Sequence, residues 1–168
     1  MLFQKILDIF SKNNNIKTLF LVDILYMKDL NAIYDFKNGD FIIRQLDSIL
    51  KTNIKELIKE ELKRNIYINI KNTHADVFEI YLLDDLSIEE IVIVKNIIYE
   101  SIVSNNFKLL DNYGTINIDI TIGCAKSEDQ HIKIYAEKAL YNAKLNFIHY
   151  MYYDSFLYKN ESVNENLL

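Results

Sequence analysis

Asp23, Asn31 and Asp40 stand in mostly apolar surroundings within the stretch LFLVDILYMKDLNAIYDFKNGD, residues 19 to 40. Asp23 comes at the end of an apolar run, where a buried strand should surface, and strand ends are where sheet proteins commonly keep their chemistry. Asn31 and Asp40 follow in a mostly apolar helical setting and offer hydrogen-bonding groups to a ligand. The bland alternative is that Asp40 caps a helix and Asn31 decorates a surface. Other reactive residues are less suggestive. His74, His131 and His149 are scattered, with no HExxH spacing and no His-Asp-Ser arrangement, and read as loop or surface residues. The single Cys124 falls in a predicted buried strand and reads as core, and no Cys or His spacing suggests zinc.

The elements that must position these groups follow from periodicity. Phe3, Ile6, Leu7 and Phe10 predict a helix over about 2–12, ended by Asn13 to Asn15. Residues 17–24 predict a strand buried on both faces, and 26–36 a helix. Gly39 is expected to mark a turn, with Asp40 capping a long helical stretch that carries Ile42, Leu46, Leu50, Ile58 and Leu62. The charged run KELIKEELKR is the solvated face of that stretch. A hairpin is predicted from 65–71 and 77–83, joined by a loop at Asn72 to Ala75, with Ile66, Ile68 and Ile70 on one face. Ser87 with Glu90 is a capping-box pattern opening a helix that runs to about 102. A second hairpin pairs 107–111 with 116–125. The last helix spans about 132–146 and the last strand Tyr150 to Tyr153, whose tyrosines read as packing residues. Helices returning between strands of a mixed sheet predict an α+β sandwich of the ferredoxin-like type.

Composition narrows the function. A chain of 168 residues, half of them hydrophobic, is long enough for one domain with a sizeable core. Nineteen basic against 24 acidic residues give a net charge of −5, and no basic block tracks a phosphate backbone, so nucleic acid is not an expected partner. No apolar run is long enough to span a membrane, and the first residues lack a signal peptide's cationic start and cleavage site. A cytoplasmic protein without membrane contact is expected.

The 19–40 stretch resembles the GGDEF domain of bacterial diguanylate cyclases, which reads roughly D-[IL]-D-x-F-K-x-x-N-x-x-x-G-H-x-x-G-D there. Asp23, Ile24, Lys28, Asn31, Gly39 and Asp40 match, while Leu25, Met27, Asp35 and Phe36 depart. IDITIGCA at 118–125 is similar to the family's v-T-v-S-I-G-i-a strand, and AEKALYNAK at 136–144 to its A-D-x-A-L-Y-x-A-K helix. Three such segments in order cover nearly the whole chain. The resemblance implies a palm-type, nucleotidyl cyclase-like sandwich over 1–154, a central mixed β-sheet flanked by helices, with a polar tail or linker at 155–168.

It also implies site residues. Family cyclases join two GTP molecules into cyclic di-GMP using two metal ions held by carboxylates. Asp23, Asp76 and the Ile24 carbonyl match the metal ligands, so Mg2+ or Mn2+ is expected only together with a nucleotide. Asn31 and Asp40 match the pair that hydrogen-bonds guanine, and Lys144 matches a phosphate-binding lysine. The GGDEF turn itself reads His74-Ala75-Asp76-Val77-Phe78. His74 and Ala75 replace glycines that let backbone approach a nucleotide, and Val77 replaces the acid needed for cyclase activity. Leu25 replaces a further acid and Ile148 a phosphate-binding arginine. Losing one charge-assisted contact to triphosphate costs about 1.5–3 kcal/mol. The family's inhibitory R-x-x-D motif would fall on Asn65 and Ile68 and is missing. The resemblance therefore implies a degenerate regulatory domain that binds GTP without making cyclic di-GMP. The alternatives are a weak cyclase acting as a homodimer, with Asp76 catalytic, and a purely structural dimerisation domain. The chain starts just after where the family's D-x-L-T-G-L-x-N-R segment belongs, so a longer signalling protein is expected, with a neighbour such as an EAL phosphodiesterase domain.

Overall fold

A computed structural model describes residues 16–74, 76–126 and 131–154; the helix predicted over 2–12 and the tail at 155–168 lie outside the described residues. In chain order the elements are β1 (Thr18–Ile24), α1 (Met27–Tyr34), α2 (Phe36–Ile49), a π-helical segment (Leu50–Ile54) and α3 (Lys55–Leu62). There follow β2 (Ile68–His74), β3 (Val77–Leu82), α4 (Ile88–Val103), β4 (Phe107–Lys108) and β5 (Thr115–Ile116). The order closes with β6 (Ile120–Lys126), α5 (Ile132–Leu145) and β7 (Tyr150–Asp154). Five strands form one sheet in the order β2-β3-β1-β6-β7. β1 lies in the middle, antiparallel to both neighbours, and β6 pairs parallel with β7. This is the expected α+β palm-type sandwich.

Strand alternation divides the core between the two faces. Phe20, Val22 and Ile24 pack with Ile42, Leu46, Ile58, Ile91 and Ile98, which places α2, α3 and α4 on one side of β1. Leu19 and Leu21 pack with Ala125, Ile132, Ala136 and Leu140, which places α5 on the other. The same alternation puts Asp23 on the α5 side. Burying one such Ile or Leu contributes roughly 1.5–3 kcal/mol, so the larger first cluster supplies most of the apolar stabilisation. Gly123 in β6 is what lets α5 lie down on the sheet. A Cβ there would sit 2.6 Å from the Ala136 carbonyl oxygen and collide with the Leu140 amide nitrogen.

Local signals held where one interaction dominates. The Ser87 hydroxyl accepts from the Glu90 amide at 3.2 Å and the Glu90 carboxylate accepts from the Ser87 amide at 2.9 Å, the predicted capping box. Cys124 is fully buried, as expected. Ile66, Ile68 and Ile70 are likewise buried on one face.

Several boundaries differ from the sequence reading; the strands predicted over 65–71 and 107–111 are Ile68–His74 and Phe107–Lys108. The break after α1 falls at Asp35, which takes φ 77° and ψ 167° and caps α2 by accepting the Asn38 amide at 2.9 Å. Gly39 and Asp40 therefore lie inside α2, and Asp40 is not a cap. In the first hairpin β2 continues through Asn72 and Thr73 to pair His74 with Val77, so the connection is 75–76 rather than 72–75. The strand predicted over 116–125 is two strands. After β5, Asn117 donates its amide to the Asn105 carbonyl and Asp119 accepts the Ile120 amide, turning the chain into the main sheet.

Candidate functional site

The carboxyl end of β1 is where the chain brings its sequence-distant polar groups together. Asp23 is 4 % exposed, and its strand neighbours across the ladder are Val77 on β3 and Thr121 on β6. Its charged partner is Lys144, from the last turn of α5, whose Nζ lies 2.7 Å from Asp23 Oδ2. Lys144 is half exposed, so the pair joins a buried anion to a cation at the solvent boundary. Burial raises the Asp23 pKa above its ordinary value; the Lys144 hydrogen bond and charge oppose this, and the nearby Asp76 carboxylate reinforces it. Asp76 is drawn to the same place by its backbone, its carbonyl accepting the Ile24 amide at 3.2 Å. Thus Asp23, Ile24, Asp76 and Lys144 converge. Val77 meets them as an apolar wall.

The corner at Asp35 brings Asn31 against Gly39, the residue before Asp40. Asn31 Oδ1 lies against Gly39, so tightly that a Cβ on Gly39 would overlap it. That oxygen is buried with no hydrogen-bond partner, an exception that marks a strained or functional position. Asp40, the next residue, is exposed. The corner is held by Asn38, fully buried, which the sequence reading passed over. Its amide donates to the Tyr34 carbonyl at 2.8 Å and its side-chain oxygen accepts the Leu110 amide at 2.7 Å. Only the three-dimensional path of the β4–β5 hairpin reveals that second partner.

The other sequence-singled residues sit as follows. His74 ends β2 and Ala75 lies outside the described residues. Leu25 directly follows β1, and Ile148 lies past the end of α5, 41 % exposed. His131 precedes the first turn of α5. His149, read as a surface residue, is half exposed, with Nδ1 3.2 Å from the Ile120 carbonyl and 3.3 Å from Asp119 Oδ1. A second buried acid, Glu79, lies on the α5 side. It pairs with Lys133 at 2.7 Å and accepts from the Tyr81 hydroxyl. Burial works to raise its pKa, but these partners together hold it below the ordinary value. It is a satisfied structural network.

No protein-family model matches the sequence, and no curated protein matches it. Solved structures do. The GGDEF-only form of TpbB (YfiN) from Pseudomonas aeruginosa superposes with a TM-score of 0.68 at 16% identity, over 97% of this chain and 90% of that one. The GGDEF domain of DgcB from Caulobacter crescentus, solved with c-di-GMP, gives 0.64 at 16% identity, over 82% and 76%. The S helix-GGDEF-EAL form of LapD from Vibrio cholerae gives 0.60 at 20% identity over 84% of this chain, which spans only 31% of LapD's length there. At such identities the likeness speaks to architecture, and in architecture this chain is folded as a GGDEF domain.

Proposed function

We propose that this chain is a regulatory module of cyclic di-GMP signalling that binds GTP without converting it to cyclic di-GMP. The observation carrying the proposal is the cross-strand pairing of Asp23 with Val77. Val77, across the ladder from the buried acid, offers no lone pair to a cation and no group to move a proton. Asp23 is already neutralised by Lys144. The two residues read as guanine-binding are both present: Asn31 packs against Gly39, and the adjacent Asp40 is exposed, which supports the reading. An Asp accepting from the guanine N1 and N2 donors discriminates against adenine, whose N1 is an acceptor.

A divalent cation fits this site only together with phosphates. Asp23 and Asp76 lie close enough for their like charges to help raise Asp23, and Mg2+ is typically held by one or two carboxylates plus substrate phosphates. With the Ile24 carbonyl they would hold Mg2+ or Mn2+, which would supply charge neutralisation to a triphosphate. Lys144, now paired with Asp23, would be the residue to meet the phosphate oxygens. The module's signal passes to a neighbouring domain such as an EAL phosphodiesterase. The S helix-GGDEF-EAL architecture of LapD supports that reading.

The test is a calorimetric titration of GTP, with ATP as control, in magnesium, on wild type and Asp40→Ala, with the product mixture analysed for cyclic di-GMP. Saturable GTP binding, lost in the variant and without product, is expected. Cyclic di-GMP formation at an ordinary cyclase rate overturns the proposal, and so does absence of GTP binding at millimolar concentration. One observation favours a second reading, a weak homodimeric cyclase: Asp76 stands close to Asp23. On that reading Asp76→Asn abolishes turnover.

A further inference from the structure

The outer face of α5 carries side chains that a helix facing water does not need. Ile132, Ala136, Ala139, Leu140 and Ala143 are buried beneath the helix. On the opposite face stand Ile134, Lys138, Tyr141 and Leu145, all exposed, the three apolar ones by 48 %, 62 % and 57 %. A helix covered on one side ordinarily turns charged and polar residues outward. Here the outward side is an apolar stripe interrupted by one cation.

The steps along the stripe are four, three and four residues, the alternation of a coiled-coil seam. That series reads the same in both directions. Laid antiparallel on an identical helix about a two-fold axis, it sets Ile134 against Leu145 of a second copy and Lys138 against Tyr141 of that copy. Both pairs centre on one point of the helix, between Ala139 and Leu140, so a single axis satisfies them together. The Lys138 ammonium then lies over the partner ring, a favourable cation–π contact. A parallel pairing would instead oppose Lys138 to its own copy, charge against like charge. Self-complementarity of this kind is what a two-fold interface requires, and it singles out a second copy of this chain as the occupant.

We propose that α5 pairs antiparallel with α5 of a second copy to form a two-fold dimer. A seam of four side chains is well below the roughly 800 Å² per partner of a standard interface, so the association is weak and reversible. Lys144 is not part of the stripe, and the proposal does not rest on the GTP reading.

The test is sedimentation equilibrium of the full chain without nucleotide, from about 10 μM to about 1 mM, the range of weak contacts. The weight-average mass should climb towards that of a dimer, and Ile134→Glu should weaken the association about tenfold or more while leaving the circular dichroism spectrum unchanged. Orientation is read by disulfide cross-linking of Ile134→Cys and Leu145→Cys, since the native Cys124 is buried. A mixture of the two variants should cross-link faster than either alone. A monomer up to about 1 mM overturns the proposal, and so does association that Ile134→Glu leaves untouched. Cross-linking of either variant alone as fast as the mixture overturns the antiparallel pairing. A monomer whose Tm falls in Ile134→Glu also overturns it, assigning the stripe to a contact within the chain.

Discussion

Asp35→Gly should make this protein more stable. Asp35 sits at φ 77° and ψ 167°, a region occupied almost only by glycine, and a residue with a Cβ held there costs about 1–3 kcal/mol. Two terms oppose the gain. The Asp35 carboxylate caps α2 through the Asn38 amide at 2.9 Å, but exchanging such a cap for glycine costs only a few tenths, about 0.3 kcal/mol. Glycine also loses more backbone freedom on folding, about 0.5–1 kcal/mol. The balance is a gain of roughly 1 kcal/mol, or about 2–4 °C in Tm for a chain of this size. Asp35→Ala is the control: it keeps the Cβ and loses the cap, and should cost about 1 kcal/mol. Urea denaturation with circular dichroism, at constant m-value, measures both. If glycine destabilises as much as alanine does, the cap outweighs the backbone strain and the reasoning is wrong.

Two further predictions rest on equally local geometry. Gly123→Ala forces a methyl group into the backbone of α5 at Ala136 and Leu140 and should cost about 2–3 kcal/mol in denaturant unfolding; a cost below 0.5 kcal/mol would mean that the helix can lift off cheaply. Asp23→Asn should stabilise the protein in a pH-dependent way. The folded pKa of Asp23 is raised, so the native state holds this proton more tightly than the unfolded chain. The resulting penalty is absent below the unfolded value of about 4 and complete above the folded one. The Tm gain of Asp23→Asn should therefore be largest at about pH 8 and vanish towards about pH 4. A gain independent of pH would assign the effect to packing.

Much of the fold was legible because its signals are local. Ser87 with Glu90 is a complete capping device within four residues, and the all-apolar run into Asp23 can only be an inner strand. What escaped depends on contacts between remote segments. Gly39 and Asp40 were read as turn and cap because glycine and aspartate favour those roles, whereas the actual break at Asp35 hides in a residue that rarely adopts its conformation. The glycine at 39 serves Asn31 instead, leaving room for a side chain that no helical period predicts. At the site, Asp23, Asn31 and Asp40 stood out as polar residues in an apolar setting, and Asp76 and Lys144 only by resemblance. Their mutual geometry, including the Lys144–Asp23 ion pair, was invisible because it links the ends of two elements packed across the sheet. His149 and Asp119 carried no spacing signal at all; they meet only because β7 returns beside β6.

The seat of α5 on Gly123 also bears on how this sequence tolerates change. Backbone rests on backbone there, so the height of the helix over the sheet is fixed by main-chain atoms that every sequence shares. Lys144 lies on the same helix, one turn beyond Leu140, and Asp23 on the neighbouring strand. Their separation is therefore insulated from drift in the surrounding side chains. Isoleucines can replace leucines and valines through most of the core while the charged pair keeps its distance. A single hydrogen atom in place of a side chain acts as the datum from which the site is measured.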